Sequence, residues 1–144
     1  MVFENPTREK IKGILEKSMT VAVVGLSDKP DRVSYMVSEA MQAKGYTIIP
    51  VNPNADIILG QKSYATLKDI PVPVDIVNVF RRSEHTPPVA EEAVAIGAKT
   101  LWLQLGISNE EAAAIAVAGG LEVIMDRCIK VEDSILLPGG KSKT

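Results

Sequence analysis

The residues best placed to do chemistry lie in one short stretch, Val21-Ala-Val-Val-Gly-Leu-Ser-Asp-Lys-Pro-Asp-Arg32. A continuous apolar run is cut by Gly25. A hydroxyl, Ser27, and two cations, Lys29 and Arg32, follow before an amphipathic pattern begins. An apolar run bounded by a turn signal reads as a buried strand of a parallel sheet. The turn from such a strand into a helix presents free backbone N–H groups at the positive end of the helix dipole, which is an anion site. With Lys29 and Arg32 adding full charges, the ligand expected here is phosphorylated.

The type of phosphorylated ligand is narrowed by what is missing. A dinucleotide fingerprint needs three spaced glycines and an acid about 20 residues on to bind the ribose hydroxyls. Only Gly25 is present, Ser27 takes the second glycine's place, and the next strand ends in Val51-Asn52-Pro53 without an acid. A carboxylate at that position would repel a phosphate. Its absence beside two cations suits a nucleotide whose ribose carries a phosphate, and NADP and coenzyme A both meet that description.

Other candidate chemistry is thin. His85 is the sole histidine, and no serine, cysteine or carboxylate is spaced with it in a catalytic pattern, so it reads as non-catalytic. One His and one Cys are too few for a metal site. Gly140-Lys-Ser142 follows no strand and opens no helix, so it is not a phosphate loop. Trp102 and the scattered methionines read as core. Cys128 follows Asp126-Arg127 at a strand end and reads either as a small apolar filler or as a thiol that Arg127 makes more acidic.

The elements that must position the turn follow from periodicity. Asn5-Pro6 reads as a helix start, with Ile11, Ile14 and Leu15 on one face, before a first strand over Thr20–Val24. Val33, Met36, Val37, Ala40 and Met41 recur at helical spacing, and Lys44-Gly45 stops that helix. Strands are expected over Tyr46–Val51, Val74–Phe80, Thr100–Leu105 and Leu121–Met125, with a short helix or turn within Tyr64–Ile70. A helix should run from Thr86 to Ala98, and Ser108-Asn-Glu-Glu111 should open another as a reciprocal capping box. A short segment through Leu137 follows the last strand. Strands alternating with helices predict a doubly wound parallel sheet of five strands between two helical layers. Ligands then bind outside the carboxyl ends of the strands, near the point where strand order reverses.

The 144 residues fit one domain over 1–138, followed by a flexible polar tail over 139–144. A formal charge of −2 gives no basic field for nucleic acid. Without a basic-then-apolar leader or a membrane-length apolar run, a soluble cytoplasmic protein is expected.

The set Gly25-Leu-Ser27 with Lys29, Pro30 and Arg32, then Gly45-Tyr46, Pro50-Val-Asn-Pro53 and Gly60, resembles the CoA-binding domain family. The likeness continues through Val74-Asp-Ile-Val77, Val79-Phe-Arg81, Trp102-Leu-Gln-Leu-Gly-Ile107 and Asp126-Arg-Cys128. It is similar to the small stand-alone type and to the amino-terminal domain of the succinyl-CoA synthetase alpha subunit. The resemblance implies a Rossmann-like α/β/α domain that binds coenzyme A or a short acyl-CoA without catalysis of its own. It implies a phosphate site at Gly25, Ser27, Lys29 and Arg32, with Val51, Asn52 and Pro53 along the adenosine. Phe80 and Arg81 would border adenine or pyrophosphate, and Gln104, Gly106 and Cys128 would lie nearer the pantetheine arm. Cys128 could there form a mixed disulfide with the coenzyme thiol under oxidising conditions. The second domain that carries ligase chemistry is not matched, so ligase activity is not implied. A small NADP-dependent oxidoreductase, or another nucleotide-binding regulatory module, is the competing reading. No protein partner is implied.

Overall fold

The computed structural model describes residues 2–140. Their core is a five-stranded, wholly parallel sheet built from β1 (Thr20–Val24), β2 (Thr47–Val51), β5 (Ile76–Val79), β6 (Thr100–Leu103) and β7 (Glu122–Ile124). The spatial order is β2-β1-β5-β6-β7. The chain therefore steps outward from β1 to β2, then returns across β1 to build the rest of the sheet. Val24 stands beside Val51 on one side and Val79 on the other, so these three strands end level with one another. Between β2 and β5 a two-residue antiparallel ribbon, β3 (Ile57–Ile58) and β4 (Gln61–Lys62), turns at Leu59 and Gly60. A 3₁₀ turn over Leu67–Asp69 completes the irregular stretch in which a short helix or turn is expected.

Two helical layers cover the sheet. On one face, α3 (Thr86–Ala95) and α4 (Glu110–Ala118) pack through Ala90, Ala93, Ala112, Ala113 and Ala116 onto Val77, Val79, Leu101 and Leu103. On the other, α1 (Arg8–Lys17), α2 (Val33–Ala43) and α5 (Ile129–Leu136) cover Val21, Val23, Ile76, Trp102 and Ile124. Trp102 is fully buried, as its sequence context implies. Among the described residues no helix is long and apolar enough to cross a membrane.

The structure departs from the sequence reading at the ends of elements, in the segment after β7, and at Met19 and Met36, which are exposed rather than core. The first helix begins at Arg8 with Thr7 as its cap, accepting from the Lys10 N–H at 3.3 Å. Asn5 instead ties the amino-terminal segment to the last strand, donating to Met125 O at 2.7 Å and accepting from Met125 N at 2.8 Å. The α4 cap is Asn109 rather than Ser108; it accepts from Ala112 N at 2.8 Å, while Ser108 N donates to Ser83 Oγ. The α3 helix stops before Ile96 because Gly97 turns at φ +72°. The segment after β7 is a full helix, α5, with its first N–H held by Gln104. Of the expected tail, Gly139 and Gly140 fold back, Gly140 N donating to Leu137 O at 2.9 Å; 141–144 lie outside the described residues.

A buried polar lock holds α5 against the end of α2. The Asp133 carboxylate, fully buried, accepts the Tyr46 hydroxyl at 2.5 Å and pairs with Lys44 Nζ at 3.1 Å. Burial first, and the neighbouring Asp133 second, push the Tyr46 phenol well above its ordinary range. A group whose folded pKa is raised stabilises the fold below its unfolded pKa, here about 10, and loses that contribution as pH climbs beyond it. Urea unfolding at pH 8 and pH 10.5 should therefore show a steeper alkaline loss for the native chain than for Tyr46→Phe. The variant should cost about 1.5–3 kcal/mol at pH 8, the value of a hydrogen bond to a charged group.

Candidate functional site

The reversal of strand order falls between β1 and β5, and at that point the backbone leaves no room for a side chain. Gly25 lies at φ +86°, and a Cβ built on it would stand 2.3 Å from the Phe80 carbonyl oxygen. Hydrogen bonds knit the three strand ends around it: Gly25 N to Val51 O at 3.1 Å and Phe80 N to Val24 O at 2.8 Å. Asn52 adds a third tie, its Nδ2 donating to Leu26 O at 3.0 Å while its Oδ1 accepts from Asn54 N. Leu26, fully buried, fixes the start of the turn in the core.

Beyond Leu26 the turn is shaped by hydroxyls. Ser27 N donates to Ser34 Oγ at 3.0 Å, and Ser27 Oγ accepts from Lys29 N at 3.1 Å. Arg32 N donates to Lys29 O at 3.1 Å. Arg32 is the N-cap of α2 and supplies no side-chain capping bond. The first intrahelical bond of that turn runs from Met36 N to Arg32 O, so the N–H groups of Val33, Ser34 and Tyr35 have no acceptor within the helix. An uncapped helix start of this kind, at the carboxyl edge of a parallel sheet, offers directed donors to an anion. Lys29 and Arg32 are exposed and form no ion pair among the described residues. Asp28 and Asp31 share the turn, so its formal charge is zero. Directed N–H groups, more than net charge, must supply its selectivity.

Next to this corner lies a cleft of about 210 Å³. Val24 and Val51 line it from the sheet, Ala65, Thr66 and Leu67 from one side, and Arg81, His85, Pro88, Val89 and Glu92 from the other. Its walls are braced: Leu67 N donates to Glu92 Oε1 at 3.2 Å, and Asp69 Oδ2 accepts from both the N and Oγ1 of Thr66. Apolar ends of two strands facing a guanidinium and an imidazole can receive a flat ring beside a phosphate.

Nine of the twelve residues singled out from sequence gather at these three strand exits: Gly25, Ser27, Lys29, Arg32, Val51, Asn52, Pro53, Phe80 and Arg81. The other three stand at the exits of β6 and β7. Gln104 is buried, its Oε1 accepting from Ile129 N at 2.9 Å. Gly106 turns at φ +84°, its N–H donating to Asp126 Oδ1 at 2.7 Å. Cys128 is half-buried, packs against the core cluster of Trp102 and Ile129, and occupies the N-cap of α5. The side-chain oxygens of Asn52 and Gln104 thus hold the frame. Thr66, Leu67, His85 and Glu92 were not anticipated as lining residues. The Thr66-x-x-Asp69 spacing was a readable turn signal, but nothing local says that it faces β2. Among the described residues no three His, Cys, Asp or Glu side chains cluster as a metal site would require.

An open parallel sheet with a glycine corner at its switch point and an uncapped helix behind it is the architecture of a nucleotide-type binding domain. This chain belongs to the CoA binding domain family, whose model matches residues 19–134. It is 54% identical to the uncharacterized protein YneT of Bacillus subtilis over 133 residues, 92% of this chain and 98% of that one. It is 34% identical over 94 residues to an ADP-forming acetate–CoA ligase II of Archaeoglobus fulgidus, covering 63% of this chain but 14% of the ligase. A hypothetical protein from Pyrococcus horikoshii superposes with a TM-score of 0.89 at 35% identity, over 95% of this chain and 99% of that one.

The glycine corner can be tested against a glycine with the same backbone and open space. Gly120 also lies at φ +86°, but a Cβ there meets nothing within 4 Å. Gly120→Ala should cost about 1–2 kcal/mol, the left-handed penalty alone. Gly25→Ala should cost clearly more, about 2–4 kcal/mol. Equal unfolding free energies for the two variants would deny the close approach to Phe80 its structural role.

Proposed function

We propose that this protein binds coenzyme A or a short acyl-CoA at the carboxyl edge of its sheet and performs no chemistry on it. The observation that carries the reading is the corner itself: Gly25 pressed against the Phe80 carbonyl, with the uncapped N–H groups of α2 immediately behind. In this reading the phosphates meet those N–H groups, with Ser27, Lys29 and Arg32 around them. The adenosine portion lies along Val51–Pro53 toward the cleft, and Phe80 and Arg81 border it. The pantetheine arm extends toward Gln104, Gly106 and Cys128. Membership of the CoA binding domain family supports the ligand class. The missing acid after β2, where Asn52 is tied to Leu26 and Asn54, supports a phosphorylated ribose over NAD. Holding, sensing or delivering the coenzyme are uses such a module serves without a catalytic group.

Melting the protein with CoA, dephospho-CoA, NAD and NADP tests the assignment directly. A ligand at 100 times its Kd adds about 2.7 kcal/mol of apparent stability, so a ranking of CoA above dephospho-CoA, with NAD silent, is expected. Stabilisation by NADP alone would transfer the protein to the reductase reading.

Lys29→Ala and Arg32→Ala should each weaken CoA binding roughly ten- to a hundredfold, the effect of one charge-assisted contact. Both side chains are exposed, so the melting temperature of the ligand-free protein should hardly move. Undiminished CoA affinity in both variants, measured by calorimetry, would relocate the phosphate site.

A further inference from the structure

The amino-terminal edge of the sheet, opposite the switch point, holds a second concavity that the reading above does not use. It measures about 390 Å³ and lies between α1 and the starts of β6 and β7, with Lys10, Gly13, Lys17, Lys99, Thr100 and Glu122 among its lining residues. Three lysines and one glutamate thus line it. Lys10 is taken up by Glu122 at 3.2 Å. Lys17 and Lys99 have no carboxylate within ion-pair distance among the described residues. The nearby Asp75 is turned to the backbone, its Oδ2 accepting from Met19 N at 2.8 Å and Thr20 N at 3.0 Å. The whole chain carries a formal charge of −2, so this positive excess is local.

Gly13 is the second observation, independent of charge. It sits inside α1, where glycine is among the poorest residues for a helix. Glycine there is usually explained by a neighbour that needs the space. Here a Cβ would meet nothing within 4 Å, so among the described residues nothing requires its absence. The bare backbone forms part of the wall of the concavity instead.

We propose that this concavity is a second binding site, for a compact polyanion such as a diphosphate or a tricarboxylate. Lys17 and Lys99 neutralise the ligand, and Gly13 lets it lie close against the helix. The site is separate from the switch-point corner and independent of whether CoA binds there.

Amide NMR on the full chain tests this with pyrophosphate and citrate as probes, against sodium chloride at matched ionic strength. The expected result is saturable shifts at Gly13, Ile14, Lys17, Lys99 and Thr100, unchanged by excess CoA or by Arg32→Ala. The response to the two probes separates phosphate from carboxylate chemistry. The Lys17→Ala/Lys99→Ala double variant should weaken binding at least tenfold. Gly13→Ala should raise the melting temperature without anion by about 2–4 °C and yet weaken anion binding severalfold. Shifts reproduced by chloride, or retained in the double variant, would reduce the effect to charge screening and overturn the proposal. So would a Gly13→Ala protein that binds the probes as well as the native chain.

Discussion

The approach of Gly25 to the Phe80 carbonyl is the constraint from which the architecture of the site follows. A parallel sheet that reverses strand order must part its chain at the reversal, and here the parting occurs where β1 and β5 end side by side. A side chain at 25 would collide with backbone, and backbone cannot step aside as a flexible side chain can. With glycine there, Val24, Val51 and Val79 finish level, and the bonds through Gly25, Asn52 and Phe80 make one rigid floor. The start of α2 then has a fixed direction over that floor. Its first N–H groups stay open because Arg32 caps nothing.

Stability is concentrated away from this rim. Two apolar clusters on opposite faces of the sheet bury Trp102, Leu101, Ile76 and Leu26 completely. The polar lock of Tyr46, Asp133 and Lys44 fastens α5, and Gln104 holds the other end of that helix from the end of β6. The exits of β6 and β7 are joined by the Asp126 carboxylate, which accepts from Gly106 N while Asp126 itself sits at φ +56°. The carboxyl edge thus has two stiff halves, a glycine corner at β1, β2 and β5 and an aspartate clasp at β6 and β7. A ligand long enough to touch both would find each already in place.

Much of this was legible in the residues, for reasons that can be named. Unbroken apolar runs such as Val21–Val24 and Leu101–Leu103 specify buried parallel strands because no face of them is offered to water. The alternation with helices then specifies the doubly wound class. Helix caps were harder: the Asn5 side chain is used by a distant partner, Met125, and Asn109 rather than Ser108 caps α4, while the Ser108 N–H donates to Ser83 Oγ. The α5 helix was missed because its Cys128 N-cap makes no side-chain capping bond, and its first N–H is satisfied by Gln104, 25 residues earlier. At the site, the glycine turn was readable locally. The far wall was not, because the contribution of Thr66, Leu67 and Glu92 depends on how the 54–73 segment folds back beside β2, which the bridge between Val51 and Tyr64 decides.

The account is tested most directly by titrating isotopically labelled protein with CoA and following backbone amides by NMR. The account predicts that the largest shifts fall on Ser27 to Tyr35 and on Phe80 to His85, with the N–H groups of Val33, Ser34 and Tyr35 moving as expected for new acceptors. Shifts that leave those amides unmoved while other parts of the chain respond, or no response at saturating CoA, would contradict it.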